Sequence, residues 1–382
     1  MLNSHSFSDR MNRGFFFGLM GLCLMGCQPE TPESFGLDNV IALHIAPDDI
    51  STMRHGTYSK SKVPVDIELN GEVRSGVIAV AGATSVDDYK KSYEIELDEP
   101  YLGMTVFRLN AMSRDPSAMH ALTAYHVFEL NGVATPLLEP IAVWMNDTYA
   151  GLYLFQEKYD NGYFAGQAQN PASLYQAENS VAAMDTSANY DVAFSVKIGN
   201  HEMVDLKQML YAVNEYETTG DVALLEKYVD VPTLLNYMAI TSYIDHVDGL
   251  VNNYYLLRLN GESRFRFLPW DLDYTFGQFR APEDVSLLER NQLMRTVLKN
   301  DSAIFGEYQS EFKSVARRAN APALAEYVDE LVSLIAGAYG ADPALSGGPL
   351  SLADHAAKLK SHFQEMEDAA GIMQQVDDVV VE

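Results

Sequence analysis

The chain has 382 residues, enough to bury a sizeable core as one large domain or two. It is 47% hydrophobic and 11% aromatic without a long low-complexity tract, a globular composition. Acidic residues outnumber basic ones 53 to 26, for a net charge of −27. That excess argues against nucleic acid as a partner, since binding it needs clustered Lys and Arg. It fits a soluble protein in a salty or extracytoplasmic setting, with a site where Mg²⁺ offsets local negative charge.

Residues 11–27 read MNRGFFFGLMGLCLMGC: one Arg, an apolar run too short to span a membrane, then Leu24-Met25-Gly26-Cys27. This is the build of a secretory signal. Its end resembles the bacterial lipobox, in which the Cys becomes the lipidated first residue. The resemblance implies a signal peptide over 1–26, lipidation at Cys27 and a polar tether over 27–38, which leaves a domain over 39–382. The expected location is the cell envelope, on its periplasmic or cell-surface face, with the membrane engaged through lipidated Cys27. Removal of 1–26 also removes Cys23, which excludes an intramolecular disulfide and a cysteine zinc site.

From Val40 to about Glu99 the pattern is β-like. VDIELNGEVRSGVIAV alternates around Asn70-Gly71, a hairpin signal, and KKSYEIEL (90–97) is a further alternating strand. Residues 117–130 have helical spacing and stop at Asn131-Gly132. Strands are expected near 139–145 and 150–157, with a turn at Asn146-Asp147. Residues 160–200, rich in Asn, Ala, Ser and Gly, read as an irregular, partly exposed insertion. Helices are expected over 204–217, 221–229 and 231–246, the last capped by Asp230 with Pro232 in its first turn. A hairpin interrupts, NYYLLRL (253–259) and RFRFLPW (264–270) around Asn260-Gly261, before helices return from about 283 to 369. The order gives an α+β fold: a β-rich part over 39–160 and a mainly helical part over 200–370 with one embedded hairpin.

That hairpin carries the chemistry. In HVDGLVNNYYLLRLNGESRFRFLPWDLDYTFG, Asp248 is read as closing a helix, Asn253 follows five residues later, and the second strand delivers Asp271 and Asp273. Protein kinases have the same layout: a catalytic-loop Asp, an Asn five residues on, a hairpin, then an Asp that grips Mg²⁺. One carboxylate must orient or accept the hydroxyl proton, while an amide oxygen and another carboxylate hold metal against the phosphates.

These residues resemble the CotH (spore-coat protein H) family of atypical protein kinases. P-W-D-x-D-x-x-F-G (Pro269 to Gly277) is similar to that family's most distinctive stretch, and DGLVNNYYLL to its Asp-to-Asn segment. KKSYEIEL, with Lys90 and Lys91, resembles its lysine strand. AGLYLFQEKYD (150–160) resembles its G-x-Y-x-x-x-E run. AVAGATS departs from the family's Arg-Gly pair, having Gly82 but no Arg. The resemblance implies a bilobed kinase-like fold and transfer of the ATP γ-phosphate to Ser, Thr or Tyr hydroxyls of a protein substrate. It implies Asn253, Asp271 and Asp273 as holders of Mg²⁺ (or Mn²⁺), Lys90 or Lys91 at the phosphates, and a base in a segment where Asp245, His246 and Asp248 crowd together, Asp248 being favoured by its kinase-like interval to Asn253. Glu157 is then a partner for that lysine or for metal.

Other readings stay open. Taken alone, Asp271-Leu272-Asp273 is also a turn at a hairpin end, or the metal-diphosphate motif of a glycosyltransferase, which expects βα units upstream. Lys90 and Lys91 read as solvated strand lysines, and Glu157 as a turn cap. A non-catalytic pseudokinase or metal-stabilised envelope scaffold is the alternative from a different class. Against it, clustered carboxylates repel unless a cation sits among them. The nine His residues show no HExxH spacing, and neither GxSxG nor a Walker A motif occurs.

Overall fold

The structure, a computed structural model, describes residues 32–55, 60–82, 87–184, 190–278, 290–300, 302–345 and 347–380, with side chains through 368 except Leu298 and Asn300. The apolar segment 11–27, which contains Cys27, and the last three residues of AVAGATS (83–85) lie outside these residues. Two compact units emerge. The first comprises the described parts of Met1–Ala118 together with Pro136–Tyr163 and Glu330–His355; the second comprises Met119–Thr135, Phe164–Asp329 and Ala356–Glu382.

The first unit holds β1 (Val40–His44), α1 (Pro47–His55), β2 (Val63–Leu69), β3 (Glu72–Ala81), β4 (Ser92–Tyr101), β5 (Met104–Asn110), β6 (Leu138–Met145) and β7 (Thr148–Glu157). Its strands form a closed barrel in the order β1-β2-β3-β4-β5-β7-β6. Alternation decides which face turns inward: Val63, Val65, Ile67 and Leu69 of β2 are buried while Pro64 and Asp66 are exposed. Asn70 and Gly71 both take positive φ, 48° and 89°, which matches the twist of a tight hairpin. Closure comes from β1, antiparallel to β2 (Ile41↔Leu69) and parallel to β6 (Ile41↔Val143). Ile41, Ile67, Ile95, Phe107, Val143 and Phe155 share the resulting core.

The second unit contains α2 (His120–Leu130), β8 (Pro171–Ala177), α4 (Tyr190–Ala193), β9 (Phe194–Ile198), α5 (Val204–Thr219), α6 (Val222–Glu226), α7 (Val231–Tyr243), β10 (Tyr254–Leu259), β11 (Arg266–Pro269), α8 (Gln292–Asn300) and α9 (Ser302–Arg318). The short α3 (Asn161–Gly166) and the long helices α10 (Ala321–Ala341) and α11 (Leu352–Val380) complete the elements. A four-stranded antiparallel sheet, β11-β10-β8-β9, carries the embedded hairpin.

The β-rich first part and helical later part agree with the sequence reading, with three differences. Residues 160–200 are not an irregular insertion: β8 is a central strand paired with both β10 and β9, and Leu174 and Tyr175 are fully buried. Small and polar neighbours dilute its apolar signal, and burial on a sheet overrides that composition. Helix α1 interrupts the β-like stretch, opened by Pro47 with Asp48 and Asp49 in its first turn. Helix α7 stops at Tyr243, so Asp248 lies in the turn beyond it rather than at its last residue.

Candidate active site

Strand register builds one half of the site. Tyr254 pairs with Pro269, so Asn253 and Trp270 meet at the open end of the hairpin, where the Trp270 N–H donates to the Asn253 carbonyl at 3.1 Å. Trp270, buried against Tyr255 at 5.4 Å between ring centroids, anchors that end in the core. Asp271 and Asp273 follow, both half-buried, on either side of buried Leu272. The turn is closed by the Thr275 hydroxyl donating to the Leu272 carbonyl (3.1 Å), and His120 of α2 holds the Thr275 carbonyl through Nδ1 (2.9 Å). Phe276 is buried against Phe363 of α11, 5.3 Å between centroids.

The Asp248 segment is laced to this turn by its backbone. The Val247 N–H donates to the Tyr274 carbonyl (3.2 Å) and the Phe276 N–H to the Ile244 carbonyl (2.7 Å). From the start of α8, Arg290 Nη1 donates to the Val247 carbonyl (2.6 Å) and buried Asn291 Nδ2 to the Leu250 carbonyl (2.7 Å). Sequence reasoning missed both residues; the capping position of Asn291, which accepts from Met294 N, was the available signal. Asp245, Asn253, Asp271 and Phe276 all adopt left-handed backbone, φ 52–57°. Such conformations gather where surroundings overdetermine the chain, often at functional sites.

Electrostatics separate the carboxylates. Burial raises Asp248 above the ordinary carboxylate range; nearby Arg290 opposes that, and the Asp271 charge reinforces it. His246, fully buried, is held down to about 3 by desolvation, partly opposed by the Asp271 backbone. No hydrogen bond of normal geometry satisfies either ring nitrogen. Its ring fills the space where a Cβ on Gly249 would stand, which ties the neutral imidazole to the Asp248 loop.

Lys90, Lys91 and Glu157 belong to the first unit. Lys90 lies just before β4 and is buried, whereas Lys91 is half-buried. The Lys90 ammonium donates to the Leu152 carbonyl and, at 2.7 Å, to Asp342 Oδ2, and it sits 4.4 Å from the centre of the Tyr153 ring. The carboxylate paired with this lysine is thus Asp342, while buried Glu157 accepts from the Leu137 N–H at 3.1 Å. Asp342 is 252 positions from Lys90, and no local pattern links them.

Among the described residues, no group of three or more His, Cys, Asp or Glu side chains is arranged to hold a metal. The hard oxygen donors Asp248, Asn253, Asp271 and Asp273 are nevertheless the chemistry that suits Mg²⁺. The mutual effect of Asp271 and Asp248 is the repulsion a cation relieves.

The CotH kinase protein family model matches residues 78–369. Inner spore coat protein H of Bacillus subtilis (strain 168) is 27% identical over 247 residues, covering 62% of this chain and 68% of that protein. Among solved structures, the Helicobacter pylori proinflammatory kinase CtkA superposes with a TM-score of 0.40 at 9% identity, covering 75% of this chain and 95% of that one. The HipA–HipB–operator DNA complex of a Shewanella oneidensis MR-1 toxin–antitoxin system gives 0.38 at 10% identity, covering 90% and 76%. With the family match spanning most of its length, the chain belongs to the CotH kinase protein family.

Proposed function

We propose that the protein is a kinase of bilobed, kinase-like fold, anchored in the cell envelope through lipidated Cys27, that transfers the ATP γ-phosphate to Ser, Thr or Tyr hydroxyls of a protein substrate. The observation that carries this reading is the hairpin register that sets Asn253 beside Trp270 and Asp271, with Asp248 close enough to feel the Asp271 charge. Asn253, Asp271 and Asp273 would hold Mg²⁺ or Mn²⁺, which when bound neutralises charge on the phosphates. Asp248, its basicity raised by partial burial, accepts or orients the substrate hydroxyl proton. Lys90 or Lys91 contacts the phosphates.

A second reading, a non-catalytic envelope scaffold, draws on the near-complete engagement of Lys90 within its own unit. Calorimetric titration of the chain lacking residues 1–26 with ATP, with and without Mg²⁺, separates the two. Metal-dependent binding that disappears in folded Asp271→Ala is the expected result. Full binding in that variant removes the metal-site assignment, and no binding by the wild type under any condition favours the scaffold.

A further inference from the structure

The G-x-Y run at Gly151-Leu152-Tyr153 has a physical reason that the sequence does not disclose. Gly151 takes φ +127°, and a Cβ there would overlap the Asp342 carboxylate. The Leu152 N–H donates to Asp342 Oδ2 at 2.7 Å, while the Leu152 carbonyl accepts from Lys90. Tyr153 lays its ring beside the same ammonium. Three successive residues of β7 thus seat one ion pair. Asp342 is completely buried, and its other oxygen accepts from Ala344 N (2.7 Å) and Leu345 N (3.1 Å), so every contact fixes it. The next two residues, Pro343 and Ala344, line a cavity of about 790 Å³ whose wall also includes Arg54, Lys90, Lys91 and Tyr153.

We propose that Asp342 is the positioning residue for Lys90: it fixes the ammonium at the wall of this cavity, with one of its three N–H groups left for a phosphate oxygen. The phosphate role rests on the kinase reading above; the positioning role does not. Asp342 is paired with Lys90, and the cavity that Lys90 lines also carries Tyr93, Tyr153, Lys91, Arg54, His55 and Asp87. Burial holds the amine below its ordinary value, and the Asp342 charge and hydrogen bond only partly oppose it. An amide at position 342 would keep an oxygen acceptor for Ala344 N and Leu345 N while withdrawing the opposing charge and the acceptor that Leu152 N and Lys90 share.

The test is acylation of lysines by acetic anhydride across a pH series, read by peptide mass spectrometry, with exposed Lys227 and Lys358 as internal references. In the wild type, Lys90 is expected to react at least about tenfold more slowly than Lys358. In Asp342→Asn the midpoint of the Lys90 profile moves to lower pH and its rate at a fixed pH rises about tenfold, the effect of one pKa unit. Looser packing alone re-solvates the amine and moves the midpoint the other way, to higher pH. An unmoved or raised midpoint overturns the proposal, and so does a wild-type Lys90 that reacts as fast as Lys358, a readout that survives if the variant fails to fold. Parallel Mg–ATP titrations separate the two readings. A midpoint shift without ATP binding by the wild type keeps the positioning role and removes the kinase. Equal ATP binding by both proteins without a shift does the reverse.

Discussion

At the residue scale, the informative group is one that does no chemistry. His246 is neutral and fully buried beside the segment that carries Asp248, with its acidity held near 3 against an ordinary 6.5. The unfolded chain takes up a proton at this position below about pH 6.5, and the folded chain does not. The stability this difference contributes is therefore complete above that pH and is lost as pH falls toward 3, at a limiting slope of about 1.4 kcal/mol per pH unit. Replacing it, His246→Gln, is expected to flatten that part of the profile in urea unfolding of the metal-free protein between pH 4.5 and 7; an unchanged slope refutes the assignment. The candidate site residues were legible because their spacing matches a kinase-like layout: Asp248, Asn253, Asp271 and Asp273 lie within one short stretch. Asp342, Arg290 and Asn291 were not, because each acts on a backbone or side chain supplied by a distant part of the chain.

At the scale of elements, Asp230 joins the hairpin to α7 through both its side chain and its backbone. Asp230 caps α7 by accepting from Thr233 N at 3.3 Å, its own N–H donates to the Phe265 carbonyl at 3.0 Å, and Arg266 at the start of β11 lies 3.5 Å from its carboxylate. An Ala at this position is expected to cost about 1 kcal/mol, the usual loss on removing an N-cap, with little from the partly exposed ion pair. Denaturant titration of Asp230→Ala measures it, and a loss below a few tenths of a kcal/mol rules out a capping role. Pro232 and the Asp before it made this boundary readable in advance, as Asn70-Gly71 and Asn260-Gly261 did for the two hairpins. Strand β8 was hidden for the opposite reason. Nothing local marks PASLYQA as central, and its character comes from the neighbours that bury it.

At the scale of the whole molecule, the proposed membrane link depends on a residue outside the described structure, and no described helix is long and apolar enough to cross a bilayer. Replacement of Cys27 by Ser in the full chain is expected to move the protein from the membrane to the soluble fraction of a bacterial lysate; retention in the membrane fraction refutes the lipid anchor. The family was legible from short motifs, whereas the grouping of Glu330–His355 with the barrel was not, since only the folded chain brings them together. That grouping has a consequence in time. Strand β1 must wait for β6, on the order of a hundred residues later, before the barrel can close. Asp342 arrives later still to complete the seat of Lys90. A chain synthesised from its N-terminus cannot finish its first unit until nearly all of it has emerged, so that unit is completed only after synthesis is almost over.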